Sequence, residues 1–126
     1  MNKEQQEKHL EHIFSKMREI MLKKGNDYAT QDRLSNFKLA GNICGISPEI
    51  QCLSLIATKV ARLSVLLHNQ NKPNYESISD SIIDLINYSA LLDMLLFDKE
   101  EKKTKTSLKE IVQNKTIEYW TKTQTT

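Results

Sequence analysis

The stretch Glu76-Ser-Ile-Ser-Asp80-Ser-Ile-Ile-Asp84-Leu-Ile-Asn87-Tyr88 decides the fold class. Its acids recur at i, i+4 and i+8, with apolar residues at helical spacing between them, so it reads as one helix. At roughly 100° per residue, Glu76, Asp80, Asp84 and Asn87 fall within an arc of about 80°. Ile78, Ile82, Leu85, Ser89 and Leu92 take the opposite side. No Lys or Arg follows until Lys99. Like charges one turn apart repel by a few tenths of a kcal/mol per pair. A metal ion, a basic partner helix or a cationic ligand group would compensate that cost, and the bland alternative is a solvent face that tolerates it.

Other helices extend from this one in both directions. Leu10, Ile13, Phe14, Met17, Ile20 and Met21 predict a first helix over residues 3–24, ended by Lys23, Lys24 and a left-handed Gly25. Residues 25–47 are polar, hold all three glycines and leave room for a short helix around Leu34 to Ala40. Ser47-Pro48-Glu49 is a helix start, and this second long helix should run to about His68. Leu53, Ala57, Val60, Ala61 and Leu67 share one of its faces, with Ser64 near the centre. Cys52, Leu55, Ile56, Leu63 and Leu66 carry apolarity around much of the rest. So broad an apolar surface predicts a bundle core plus a subunit interface. Asn69 to Pro73 make a turn, and Asn74 caps the acidic helix, which should end near Phe97. Residues 99–106 read as a charged linker. Ser107 and Glu110 read as a capping box opening a last helix over 107–121, and 122–126 as a frayed tail. The expected architecture is a single all-α domain, residues 1–126, with four to five helices assembling as an oligomer.

Composition narrows the function classes. The net charge of +2 makes no case for nucleic-acid polymers or membrane surfaces as partners. No uninterrupted apolar run approaches ~20 residues, which predicts no membrane span, and the N-terminus is too polar for a secretion signal. Two cysteines, Cys44 and Cys52, make neither a disulfide framework nor a zinc site. The expected location is the cytoplasm.

Three constellations could carry chemistry. Glu76 with Asp80, or Asp80 with Asp84, could hold a magnesium ion, which takes one or two protein carboxylates and completes its shell with water or phosphate. Lys59 and Arg62 lie at i,i+3 on the preceding helix, placed to meet those acids or a ligand phosphate. Lys24-Gly25-Asn26-Asp27-Tyr28 and Asn36-Phe37 offer a carboxylate, amides and two rings, which suit stacking on a base and reading its edge. His9, His12 and His68 are dispersed and read as surface or packing residues.

Taken in order, Lys24-Gly-Asn-Asp27-Tyr28, Asn36-Phe37, Lys59-x-x-Arg62-Leu63 and Glu76-Ser77-x-x-Asp80-x-x-x-Asp84-Leu85-x-Asn87-Tyr88 resemble the nucleotide modification associated domain proteins of phages and prophages. The resemblance covers roughly residues 14 to 95. That family is similar to the all-α, MazG-type nucleoside triphosphate pyrophosphatases, helical oligomers that bind magnesium and a nucleotide. The resemblance implies a nucleotide site drawing on Asp27, Tyr28, Asn36, Phe37, Lys59, Arg62, Asn87 and Tyr88, with Glu76, Asp80 and Asp84 as the metal side. One departure bears on activity. Such pyrophosphatases carry acids on two successive helices, whereas residues Cys52 to His68 contain no acid, and Thr58 stands where an aspartate often precedes the lysine. Two-metal chemistry needs several carboxylates. The expected function is therefore binding and sequestration of a small nucleotide, for example a defence signal, by a phage-type protein with no required cofactor. The alternative is a magnesium-dependent nucleotide pyrophosphohydrolase, and a third reading is a helical interaction module with no small ligand.

Overall fold

The computed structural model of the chain describes residues 1–28, 31–69 and 75–124, with all their side chains except those of Tyr28, Tyr75 and Glu76. Four helices make up the fold: α1 (Lys3–Tyr28), α2 (Ser35–Cys44), α3 (Pro48–His68) and α4 (Tyr75–Gln124). No strand occurs among the described residues. The all-α class is as expected. The Asn74 cap and most of the turn before it lie outside the described residues.

α1 does not stop at Lys24. It continues through Gly25 to Tyr28, and the left-handed glycine is Gly45 instead, at φ 69°. The reason is Arg33. Its guanidinium donates to Asn26 Oδ1 at 3.1 and 3.2 Å and to the Leu22 carbonyl at 3.4 Å. A Cβ on residue 25 would lie 2.5 Å from that guanidinium. Gly25 thus permits a close approach, and a cation sits at the negative end of the helix dipole.

α2 is bracketed by local chemistry. Asp32 accepts the Leu34 backbone N–H at 3.0 Å and pairs with Lys38. At the far end the Ile46 N–H reaches the Gly41 carbonyl at 2.9 Å and the Gly45 N–H reaches Asn42 at 3.3 Å, a Schellman ending. A Cβ at Gly45 would meet nothing within 4 Å, so only backbone strain opposes a side chain there. Gly45→Ala should lower stability by about 1 kcal/mol, read as a shifted urea midpoint at unchanged slope. An unchanged midpoint would show that this turn tolerates another conformation.

The α3 start is as the sequence predicts: Ser47 Oγ accepts the Ile50 N–H at 3.2 Å, with Pro48 in the first turn. α2 packs on α3; Leu34, Phe37 and Gly41 are buried at α2, and Cys52 of α3 is buried with its thiol against the Tyr88 carbonyl of α4.

The expected break between residues 99 and 106 is absent, and α4 is helical throughout. No Gly or Pro occurs after Pro73. Asp98 pairs with Lys102 and Glu100 with Lys103, each at 3.0 Å and at helical spacing. Thr104, Thr106 and Thr116 direct their hydroxyls to carbonyls one turn back, which satisfies them within the helix at a slight cost to it. Ser107 is interior to α4 and starts nothing.

The chain divides into two units, Met1–Asp93 and Met94–Thr126. The first holds α1, α2, α3 and the opening of α4. The second is helical to Gln124, with Leu108, Ile111, Val112, Ile117 and Trp120 exposed. Among the described residues one helix is long and apolar enough to cross a membrane: α3, with a mean hydropathy of 1.6 over an 18-residue window. The sequence expectation counted uninterrupted apolar runs, which Lys59 and Arg62 break, whereas the average over the helix tolerates two charges.

Candidate functional site

Part of the polar line of α4 is turned inward. Ser81, Ile83 and Asn87 are buried and Asp84 is half-buried, while Ile82 is 41% exposed and Ser89 is also exposed. Ile78, Leu85 and Leu92 of the opposite stripe are half-buried and Asp80 is exposed, so the packed side of α4 takes in Asp84 and Asn87 together with part of the apolar stripe. Cations on the neighbouring helices account for the inward place of Asp84.

Asp84 is the hub. Its Oδ2 meets Lys59 Nζ of α3 at 2.8 Å, and its Oδ1 meets Lys24 Nζ of α1 at 3.2 Å. The side chains of Asp84 and Lys59 are 19% and 20% exposed, and that of Lys24 is 53% exposed. Burial by itself raises the Asp84 carboxyl. Hydrogen bonds from Lys59 and Lys24, helped by their charge, outweigh it and hold the group below the usual carboxylate range. One carboxylate therefore joins three helices.

Arg62, one turn beyond Lys59, donates to Ser77 Oγ of α4 at 3.0 Å. No ion pair is formed by Arg62 among the described residues. Among the described residues a neutral hydroxyl is its contact, and it uses one of the five guanidinium donors. Asp80 is exposed and forms no ion pair among the described residues. Both Asp84 oxygens are committed to lysines, so a divalent cation would have to displace an ammonium group there. Among the described residues no three His, Cys, Asp or Glu side chains converge. The Glu76 side chain lies outside them.

Asn87, one turn from Asp84, is 6% exposed, and neither its Oδ1 nor its Nδ2 has a hydrogen-bond partner among the described residues. A buried amide with both ends unmet costs of order 1–3 kcal/mol. Next to it the Tyr88 carbonyl accepts the Cys52 S–H at 3.2 Å. Burial pushes the Cys52 thiol up, so it is an inert core group.

The remaining expected site residues scatter. Phe37 is buried, a core ring with no face open for stacking. Asn36 on α2 and Asp27 near the end of α1 are exposed, and neither bonds to the Asp84 cluster. The Tyr28 side chain lies outside the described ones. The structure thus brings Lys59 to Asp84, with Arg62 and Asn87 each about one helical turn away along α3 and α4. It adds Lys24, which the sequence offered as a helix end and as the head of a motif but not as a site residue. The available signal was its place at the head of the Lys24–Tyr28 motif. No family model, curated protein or solved structure matches the chain.

Proposed function

We propose that the chain binds a small nucleotide through the cationic cluster of α1, α3 and α4, and sequesters it without turnover. The carrying observation is the charge imbalance. Lys24 and Lys59 share the half-buried Asp84 carboxylate, and Arg62 meets a neutral hydroxyl among the described residues, which supports a site with positive charge available to phosphate. Asp84 orients the lysines, Arg62 offers a planar fork to phosphate oxygens, and the unmet Asn87 amide offers a donor and an acceptor to a base or sugar. The commitment of both Asp84 oxygens to lysines supports binding over magnesium-dependent hydrolysis. The phage setting and the bacterial cytoplasm as location rest on the resemblance set out above.

The test is incubation with a panel of linear and cyclic nucleotides, followed by mass spectrometry of what denaturation releases. Intact ligand is expected, retained in chelator. A monophosphate product formed only with magnesium, and lost in Asp80→Asn, would establish the hydrolase instead. Arg62→Ala should weaken binding about tenfold, the loss of roughly one charge-assisted hydrogen bond, with helicity unchanged. Equal binding by the variant would remove Arg62 from the site.

A further inference from the structure

We infer that Arg33 is a positioning residue for the cationic cluster: by clasping the last turn of α1 it keeps Lys24 inside the helix and on Asp84. This rests on the nucleotide reading for its effect on binding, and on helix geometry for the rest.

Two ends of α1 are encoded. Lys23, Lys24 and Gly25 together form a stop signal. A helix stopped there would leave Lys24 at the terminal position, where helices fray. α1 instead runs to Tyr28, and the glycine at positive φ is Gly45, not Gly25. The N–H groups of residues 26–28 thereby enter bonds with the carbonyls of residues 22–24. Lys24 then lies a full turn inside, and from there its Nζ reaches Asp84 Oδ1 at 3.2 Å across 60 residues of sequence.

One side chain selects the longer helix. Arg33 donates from both terminal nitrogens to Asn26 Oδ1, at 3.1 and 3.2 Å, and from Nη2 to the Leu22 carbonyl at 3.4 Å. Leu22 and Asn26 are one turn apart, so the guanidinium grips both ends of the turn that contains Lys24. A Cβ on Gly25 would come 2.5 Å from that same Nη2, so glycine is what lets the grip close. All the acceptors are neutral, and among the described residues Arg33 forms no ion pair. The guanidinium serves here as a helix cap.

Arg33 is itself anchored. On one side Asp32 Oδ1 accepts the Leu34 N–H at 3.0 Å, and the Asp32 carbonyl accepts the Ser35 N–H at 3.0 Å. On the other Leu34 is buried. Both neighbours of Arg33 thus belong to the start of α2, which packs on α3, the helix of Lys59. Two ammonium groups on one carboxylate repel each other, so sharing Asp84 requires α1 and α3 to be held in fixed relation. The clasp ties the end of α1 to that pair of helices.

Hydrogen exchange, a mutant cycle and a rescue test this, with inorganic pyrophosphate as the probe of the cluster. Arg33→Ala should speed exchange at the N–H groups of residues 26–28 about tenfold, the weight of one or two hydrogen bonds, and leave the earlier turns of α1 protected. It should weaken pyrophosphate binding several-fold, and Arg33→Ala combined with Lys24→Ala should bind no more weakly than Lys24→Ala by itself. Gly25→Ala added to Arg33→Ala should restore both protection and binding, because alanine favours the helix, opposes the left-handed stop and no longer meets a guanidinium. Additive losses in the double variant, or failure of the rescue, would mean that Arg33 meets the anion itself and would overturn the inference. So would unchanged exchange in Arg33→Ala, which would show that α1 reaches Tyr28 without the clasp. If the wild type does not bind pyrophosphate, the nucleotide reading falls and urea midpoints decide the positioning: Lys24→Ala should shift the midpoint of the wild type and leave that of Arg33→Ala unmoved, and equal shifts in both would refute it.

Discussion

Asp84→Asn should lower the stability of the first unit by about 2 kcal/mol. Asparagine keeps the shape and removes the charge, so Lys59 and Lys24 are left facing each other without a counter-ion. Removing one member of a fully buried pair costs about 3–5 kcal/mol. Here Lys24 is half in solvent, which reduces the loss toward the value of one or two charge-assisted bonds. The pH dependence follows from the lowered Asp84 carboxyl. The unfolded chain takes up its proton near about pH 3.9, and the folded chain does so only at lower pH. The stabilisation is therefore complete above that value and fades as pH falls through the folded one. Urea titrations of both proteins should differ by a constant amount between about pH 5 and 8 and converge below about pH 4. A variant as stable as the wild type at neutral pH would mean that the lysines are solvated independently, and that the three-helix junction does not depend on charge.

Gly41→Ala should cost about 2 kcal/mol although it puts a better helix former into α2. Propensity by itself predicts a gain of up to about 1 kcal/mol. Against it, the added Cβ would lie 2.7 Å from the Ile46 carbonyl oxygen and 3.2 Å from the Pro48 nitrogen and the Ser47 carbonyl carbon. All three are backbone atoms. Relief requires moving the segment that holds both the Ile46-to-Gly41 hydrogen bond and the Ser47 cap of α3. Overpacking of this kind costs about 1–3 kcal/mol. Gly25 offers the contrast, because its near neighbour is the movable end of Arg33. The sign of the change decides: a more stable Gly41→Ala protein would show that the α2–α3 corner relaxes freely.

The helical class, the Ser47-Pro48 start of α3 and its end at His68 were legible in the sequence, because caps and apolar period are local properties. The stop of α1 was not. Gly25 has the composition of a helix end, but Arg33, eight residues on, binds across it and lets the helix continue. The expected linker failed for a related reason. A run of Lys, Glu and Thr looks like a loop by polarity, yet nothing in it breaks a helix once ion pairs form at helical spacing.

The site divides the same way. Lys59, Arg62, Asp84 and Asn87 stood out by residue type and spacing, which the chain states on its own. Which side of α4 faces in was a tertiary decision. Helical period places apolar residues inside, but two lysines from other helices draw Asp84 in as well, and Ile82 is left 41% exposed. Phe37 went the opposite way, from an expected stacking ring to core, because α2 packs on α3. Sequence by itself determined what each helix is and where its charges lie. Only the tertiary structure decided which charges meet, since pairing energy depends on distances between segments as many as 60 residues apart in the chain, as for Lys24 and Asp84.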